Sequence, residues 1–211
     1  VSEPAVSERE VSEPAASGQA ASGQAAGSAR LLQGAVRIRP VAMADAAPLA
    51  QAYARNRSYL QPWEPVRPDS FFTADGQQPL LAAAIAEAAS GRSFHWLMVE
   101  DGDIAGRISL NDVVRGAFRN AHVGYWVAAD RQGKGLATAA LNMVAELARD
   151  TLGLHRLQAG TLTSNLGSQA VLSRNGFTPI GLAEKYLRIN GEWQDHLLFQ
   201  RILDSGHTPA P

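Results

Sequence analysis

The run from Val123 to Leu141, Val-Gly-Tyr-Trp-Val-Ala-Ala-Asp-Arg-Gln-Gly-Lys-Gly-Leu-Ala-Thr-Ala-Ala-Leu, most constrains what this chain can fold into. It starts as an apolar, aromatic stretch of strand type, turns through Gly133 and Gly135, and enters an Ala/Leu-rich helix. The two glycines let the backbone turn sharply and leave room for a ligand close to the main chain. The first amides of the helix, from Gly135 to Thr138, have no intrahelical partners. With the helix dipole behind them they favour an anion at the helix mouth. Lys134 adds a positive charge beside it. The pattern is that of a diphosphate cradle.

Spacing separates three kinds of glycine-rich cradle. A P-loop needs Lys and then Ser or Thr after its last glycine. Here Leu136 follows Gly135. A dinucleotide fingerprint needs a third Gly or Ala at position 138 and an acidic residue about 20 residues further on. Position 138 is Thr, and Thr151-Leu-Gly-Leu-His-Arg156 carries no carboxylate. Gln132-Gly-Lys-Gly-Leu-Ala137 instead resembles the Gln/Arg-x-x-Gly-x-Gly/Ala motif of the GNAT acyl-CoA N-acyltransferases. Taken alone, the hexapeptide also reads as an ordinary strand-to-helix turn, and its flanks bear against that.

The 211 residues suffice for one domain and an appendage. Val-Ser-Glu-Pro-Ala at 1–5 returns at 11–15, and Ala-Ser-Gly-Gln-Ala at 16–20 returns at 21–25. Residues 1–30 hold no Leu, Ile or aromatic residue, so they cannot offset the entropy of ordering them. The expected division is a flexible tail at 1–30, an acyltransferase domain at 31–204 and a short tail at 205–211. A net charge of -1 gives no electrostatic case for nucleic acid or an anionic membrane as partner. No 18-residue apolar run is present, and no basic start precedes an apolar core, so neither a membrane span nor a secretory signal is expected. Cysteine is absent, which removes disulfides, thiolate-bound zinc and a thiol nucleophile together. No metal is expected. The expectation is a cytoplasmic protein, monomer or homodimer.

Ala35 to Arg39 alternates and reads as a first strand. A helix follows from Met43-Ala-Asp45 to about Arg57, with Leu49, Ala52 and Tyr53 on one face. Asp45 is placed to cap it or to sit in its first turn. A second helix is expected over Gln77 to Ser90, stopped by Gly91. Phe94–Val99 and Ile104–Leu110 read as strands joined by the Asp101-Gly-Asp103 turn. Val113–Ala121 reads as a connection into the strand His122–Val127. The helix from Gly135 to about Thr151 carries Leu141, Val144, Ala145 and Ala148 at helical spacing, and His155–Gly160 is the next strand. Strand, helix and strand make a right-handed crossover, so the two strands are expected to be parallel. Asn165 to Phe177 reads as a capped helix closed by Asn175-Gly176. Glu184–Arg188 and Asp195–Ile202 read as a last hairpin around Asn190-Gly191.

Three further strings extend the resemblance. Asn56-Arg-x-x-Leu-x-Pro-Trp63 is similar to the acceptor-entrance segment of the ribosomal-protein-alanine N-acetyltransferase branch of the GNAT family. So is Arg115-Gly-Ala-Phe followed by Val123-Gly-Tyr-Trp. Asn165-x-x-Ser168 with Asn175-Gly-Phe177 resembles the second GNAT signature, in which Asn and Ser face the pantetheine arm and its sulfur. As residues, Asn165 also reads as a helix N-cap and Ser168 as a first-turn residue. Pro62 and Pro65 stiffen the chain around Trp63, which then either packs into the core or walls the substrate side.

The resemblance implies an α/β (α+β) GNAT fold, a mixed, mostly antiparallel sheet with flanking helices and a parallel strand pair that splays after Val127. It implies transfer of acetyl from acetyl-CoA to a primary amine, most readily a protein N-terminal α-amine. Its cofactor-binding residues would be Trp126, Val127, Gln132, Gly133, Lys134, Gly135, Leu136, Ala137, Thr138, Asn165 and Ser168. Trp63 and Tyr125 would bind the acceptor, and Ser168 would donate to the leaving sulfur. The base is open. Some relatives carry a carboxylate on the late strand where this chain has Leu187, and Glu184 lies three residues away, on the other face unless a bulge intervenes. His122 is the candidate, with ordinary packing as its alternative. His95, His155 and His196 are read as structural. Without cysteine, transfer is expected to be direct. A small-molecule amine or antibiotic acetyltransferase is the rival enzyme, decided by the loops at 57–75 and 113–121. A non-catalytic acyl-CoA-binding module is the rival of another class, which turnover with any amine would dismiss.

Overall fold

In the computed structural model, which describes residues 29–203, period-two runs and turn residues divide the chain into strands β1 (Arg30–Gln33), β2 (Val36–Pro40), β3 (Phe94–Glu100), β4 (Asp103–Val114), β5 (Asn120–Val127), β6 (Arg156–Leu162), β7 (Thr178–Ile189) and β8 (Glu192–Ile202). The α-helical segments are α1 (Ala46–Arg55), α2 (Arg57–Leu60), α3 (Ala74–Ala89), α4 (Leu136–Asp150) and α5 (Leu166–Arg174). The two tails expected at 1–30 and 205–211 lie outside the described residues, apart from Ala29 and Arg30. Among the described residues no helix is long and apolar enough to cross a membrane.

The strands form one 8-stranded sheet in the order β1-β2-β3-β4-β5-β6-β8-β7. Every neighbouring pair is antiparallel except β5 and β6, which α4 joins as a parallel crossover. The Asp101-Gly102 and Asn190-Gly191 turns have positive φ at both residues, the conformation that a tight two-residue hairpin requires.

Helices cover both faces. On one, Leu136, Leu141, Val144 and Ala148 of α4 pack on Val123, Leu157 and Phe199 of the sheet. On the other, Leu49, Ala52 and Tyr53 of α1 pack with Leu81 of α3 against Leu97 and Ile104. The helix faces expected from 3.6-residue spacing are the buried ones. Asp45 anchors the start of α1 differently from a cap. Its carboxylate accepts two hydrogen bonds from Arg39, at 2.6 and 2.8 Å, and one from the Ala42 amide at 2.7 Å.

Several boundaries differ from the sequence reading. β1 precedes the expected first strand. α3 begins three residues earlier than Gln77, because Thr73 caps it by accepting from the Gly76 amide at 3.1 Å, and Pro79 is carried inside it. The expected connection Val113–Ala121 is shorter, since β4 runs to Val114 through a bulge and β5 begins at Asn120. The strands also part earlier. The β5–β6 register is Asn120↔Arg156, Ala121↔Leu157 and His122↔Gln158, and it stops there rather than after Val127. Beyond that point each strand stays bound to its outer neighbour. β5 follows β4 as far as Val127↔Gly106, and β6 follows β8 as far as Leu162↔His196, so the sheet opens between them.

Candidate active site

The opening between β5 and β6 lies directly above the glycine turn. Gly133 (φ 70) and Gly135 (φ 77) are both left-handed, which a side chain would resist. Gly135 is the N-cap of α4 and supplies no side-chain cap, so the leading amides of the helix remain open toward the cleft. A cavity of about 460 Å³ begins here. Gln132, Gly133, Gly135, Leu136, Ala137 and Thr138 line it from the turn, and Asn165, Ser168 and Arg174 from α5 and its cap. Lys134 is not among the lining residues.

A second cavity of about 160 Å³ shares Leu60, Trp63, Tyr125, Trp126, Asn165 and Ser168 with the first. It adds Glu64, Gly124, Gly160, Thr161 and His196. Strand alternation puts Tyr125 on the α4 and α5 side of the sheet and Gly124 and Trp126 on the α1 side. The cleft therefore passes through the sheet, with the helix mouth on one side and a smaller chamber on the other.

The backbone of β5 faces this passage. The Ala128 amide donates to the Ala105 carbonyl at 2.8 Å, so the alternating ladder turns Gly124 and Trp126 toward β4. The main-chain groups of Val123, Tyr125 and Val127 turn toward the gap. Of Trp126 and Val127, the two β5 residues expected at the cofactor, Val127 is so oriented. Trp126 is also among the lining residues, and its indole is held on the α1 side, where Nε1 donates to the Tyr53 hydroxyl at 3.1 Å.

Asn165 accepts from the Ser168 amide at 3.0 Å, so it is the helix cap and lines the cleft as well. The Ser168 hydroxyl lies 3.0 Å from the Tyr125 hydroxyl. Burial pushes the Tyr125 phenol up to about 12, against the Ser168 hydrogen bond, so it stays a proton donor at neutral pH. When Tyr125 donates to Ser168, the serine proton is left for a partner in the cleft. Trp63 is half-buried and lines both cavities, as a wall rather than a core residue.

His122 lines neither cavity. It lies at the last paired step of β5 and β6, below the opening. Leu187 is exposed and opposite Gln194. A bulge does intervene at Glu184 to Tyr186, with Lys185 at φ 47 and its amide donating to Asp195 at 2.8 Å. Glu184 is nevertheless exposed and lines none of these cavities, while Tyr186 leans on His196 with ring centres 5.6 Å apart. His196 is buried, its Nδ1 3.0 Å from the Gln194 carbonyl, and it faces the chamber.

Sequence reasoning missed Arg174, Tyr59 and Glu64. Arg174 was legible in the spacing of Gly167, Val171 and Arg174, one face of α5. Tyr59 lines the cleft, with the Gln132 side chain near its hydroxyl. Burial, opposed by Gln132, raises the phenol. Arg131 lines the cleft too but is committed to Glu100 and Asp130, each at 2.7 Å.

The Acetyltransferase (GNAT) domain model matches residues 35–178. The chain belongs to the GNAT acetyltransferases. This N-acetyltransferase is 36% identical over 171 residues to the ribosomal protein uS5-alanine N-acetyltransferase of Escherichia coli, covering 80% of this chain and 88% of that one. Its fold matches the ribosomal-protein-S5-alanine acetyltransferase of Vibrio fischeri with a TM-score of 0.82 at 32% identity, over 86% of this chain and all of the other. It matches Mycobacterium smegmatis RimJ, solved in complex with CoA-disulfide, with a TM-score of 0.78 at 34% identity, over 86% and 88% of the two chains.

Proposed function

We propose that this N-acetyltransferase acetylates the α-amine of protein N-termini that begin with a small residue, Ala or Ser. The observation that carries the reading is the cleft through the sheet, which joins an anion-binding helix mouth to a small chamber walled by Gly124, Gly160 and Trp63. A chamber of about 160 Å³ suits a short first side chain. The likeness to the uS5-alanine enzyme supports the same class of acceptor.

Acetyl-CoA supplies the activated acetyl group. The open amides at Gln132–Thr138 suit its diphosphate, and Arg174 is placed for a further phosphate. The inward amides of Tyr125 and Val127 are the donors for the thioester oxygen as charge develops on it. Ser168, held by Tyr125, donates to the departing sulfur. No cysteine is available to carry the acetyl group, so transfer is direct and no acetyl-enzyme accumulates.

The test is a peptide panel with acetyl-CoA, read by mass spectrometry that locates the added acetyl group. Peptides starting with Ala or Ser gain it on the α-amine, and matched peptides with a blocked N-terminus and a free lysine do not. Modification of lysine, or of small amines alone, overturns the reading.

A further inference from the structure

Glu64 follows the rigid Pro62-Trp63 turn, and its backbone carbonyl accepts from the Asn190 amide at 2.9 Å. The β7–β8 turn thereby fixes the segment against the mouth of the chamber. Its side chain is 21% exposed. Among the described residues lining the chamber it is the only carboxylate. It also lines an adjoining cavity of about 120 Å³ that opens past Arg57 and Arg67. It does not line the cavity at the helix mouth.

We propose that Glu64 is the catalytic base, receiving the acceptor ammonium in the chamber and taking its proton. The assignment rests on the acetyltransferase reading above. The acceptor enters as R–NH3+, and one proton passes to the Glu64 carboxylate. The freed lone pair attacks the thioester carbonyl, so a C–N bond forms and the C–S bond breaks. The second nitrogen proton reaches the departing sulfur through Ser168, giving the amide and the free thiol. Glu64 then returns its proton to water.

The groups facing Glu64 suit this task. Arg67 lies 3.9 Å away on its own segment, Arg107 approaches from β4, and Arg57, Tyr53, Tyr125 and His196 line the same two cavities. Burial raises the Glu64 carboxyl above its ordinary value, and Arg67 and Arg107 oppose that. A carboxylate raised toward neutral pH is a better base for an α-amine that titrates at about 7.7–8.0. His196 is the competing group in the chamber: its Nδ1–H donates to the Gln194 carbonyl, which leaves Nε2 as the acceptor of the neutral ring, so a His196 variant stands beside the Glu64 variants in the test.

The test compares parent, Glu64→Gln, Glu64→Asp and His196→Asn on an Ala-starting peptide across pH, with acetyl-CoA affinity measured on each. The parent kcat/KM shows an acidic limb. Glu64→Gln lowers kcat/KM by about 100-fold. It also replaces that limb with a rise that follows the ionisation of the peptide amine to about pH 8. Glu64→Asp restores part of the rate, and acetyl-CoA affinity is unchanged in both. A Glu64→Gln enzyme that keeps the parent limb, or a limb that vanishes only in His196→Asn, overturns the assignment. Inactivity of the parent on this peptide overturns the N-terminal acceptor reading, and the assignment with it.

Discussion

The chemistry at residue scale turns on two hydroxyls. Tyr125 and Ser168 lie 3.0 Å apart, and the tyrosine is too deeply buried to ionise near neutral pH. The neutral phenol can give its proton to the serine hydroxyl or, at 3.3 Å, to the Ser168 carbonyl, and in the first arrangement the serine is free to donate in turn. Ser168→Ala removes the donor to sulfur. A thiolate leaves readily, so the expected loss in kcat is about tenfold, below the usual range for a positioned proton donor. Tyr125→Phe keeps the donor and loses only its orientation. It lowers kcat by less than Ser168→Ala, with KM for acetyl-CoA nearly unchanged. Steady-state kinetics of both variants check this, and equal losses would mean that the two hydroxyls act as one unit. Asn56 supports the turn from further back. Its amide nitrogen donates to the Ala52 carbonyl at 2.9 Å and its oxygen accepts from the Ala129 amide at 2.8 Å, tying the end of α1 to the loop that leads into Gly133.

At the scale of elements, the close approach of β4 and β5 holds one edge of the gap in place. A Cβ added at Gly106 would lie 2.5 Å from the Trp126 carbonyl oxygen. That atom belongs to the backbone and cannot swing aside. Gly106→Ala is expected to cost about 1–3 kcal/mol, the usual range for overpacking a tight site, and to show as a lower urea midpoint. An unchanged midpoint would mean that β4 and β5 can move apart freely. The crossover, the two hairpin turns and the buried faces of α1 and α4 were legible in the sequence. Each is written locally, in a period of 2 or 3.6 residues or in an Asp-Gly or Asn-Gly pair. The point where β5 leaves β6 was not, because it depends on what each strand does with its other neighbour. The bulge at Glu184 to Tyr186 escaped for the same reason, its register being fixed by Asp195 across the hairpin. The glycine turn into α4 was legible because its residues are contiguous in the chain. The chamber was hidden because it gathers Leu60 to Glu64, Gly124, Gly160, Thr161 and His196 from four separate elements.

The whole molecule carries a pH-dependent contribution to stability far from the cleft's helix mouth. Arg107 donates to Nδ1 of His95 at 3.0 Å, so that nitrogen is unprotonated. Burial and the Arg107 charge together hold the imidazole down to about 4. An unfolded histidine titrates at about 6.5. The unfolded chain thus takes up a proton that the folded one refuses, and stability falls as pH drops. The contribution is complete above about pH 6.5 and is lost as pH falls through about 4, a difference of about 2 kcal/mol once solvent screening of the partly exposed ring is allowed for. Urea unfolding at pH 7 and pH 4.5 is expected to show the decline, and His95→Gln to flatten it. An identical slope in the variant would assign the decline to other groups. Asp45 adds nothing in that window. Burial pushes its carboxyl up, but Arg39 and the Ala42 amide outweigh burial and hold it below the ordinary value, so its contribution is lost only in stronger acid.

All of these scales meet in the cleft that runs from the α4 mouth through the open sheet. Calorimetric titration of the folded protein with acetyl-CoA, beside NAD and ATP, tests that cleft most directly. Saturable binding of acetyl-CoA alone, near one per chain, is the expected result. No binding of acetyl-CoA, or equal binding of NAD, would contradict the account and return the Gly133–Gly135 turn to a purely structural role.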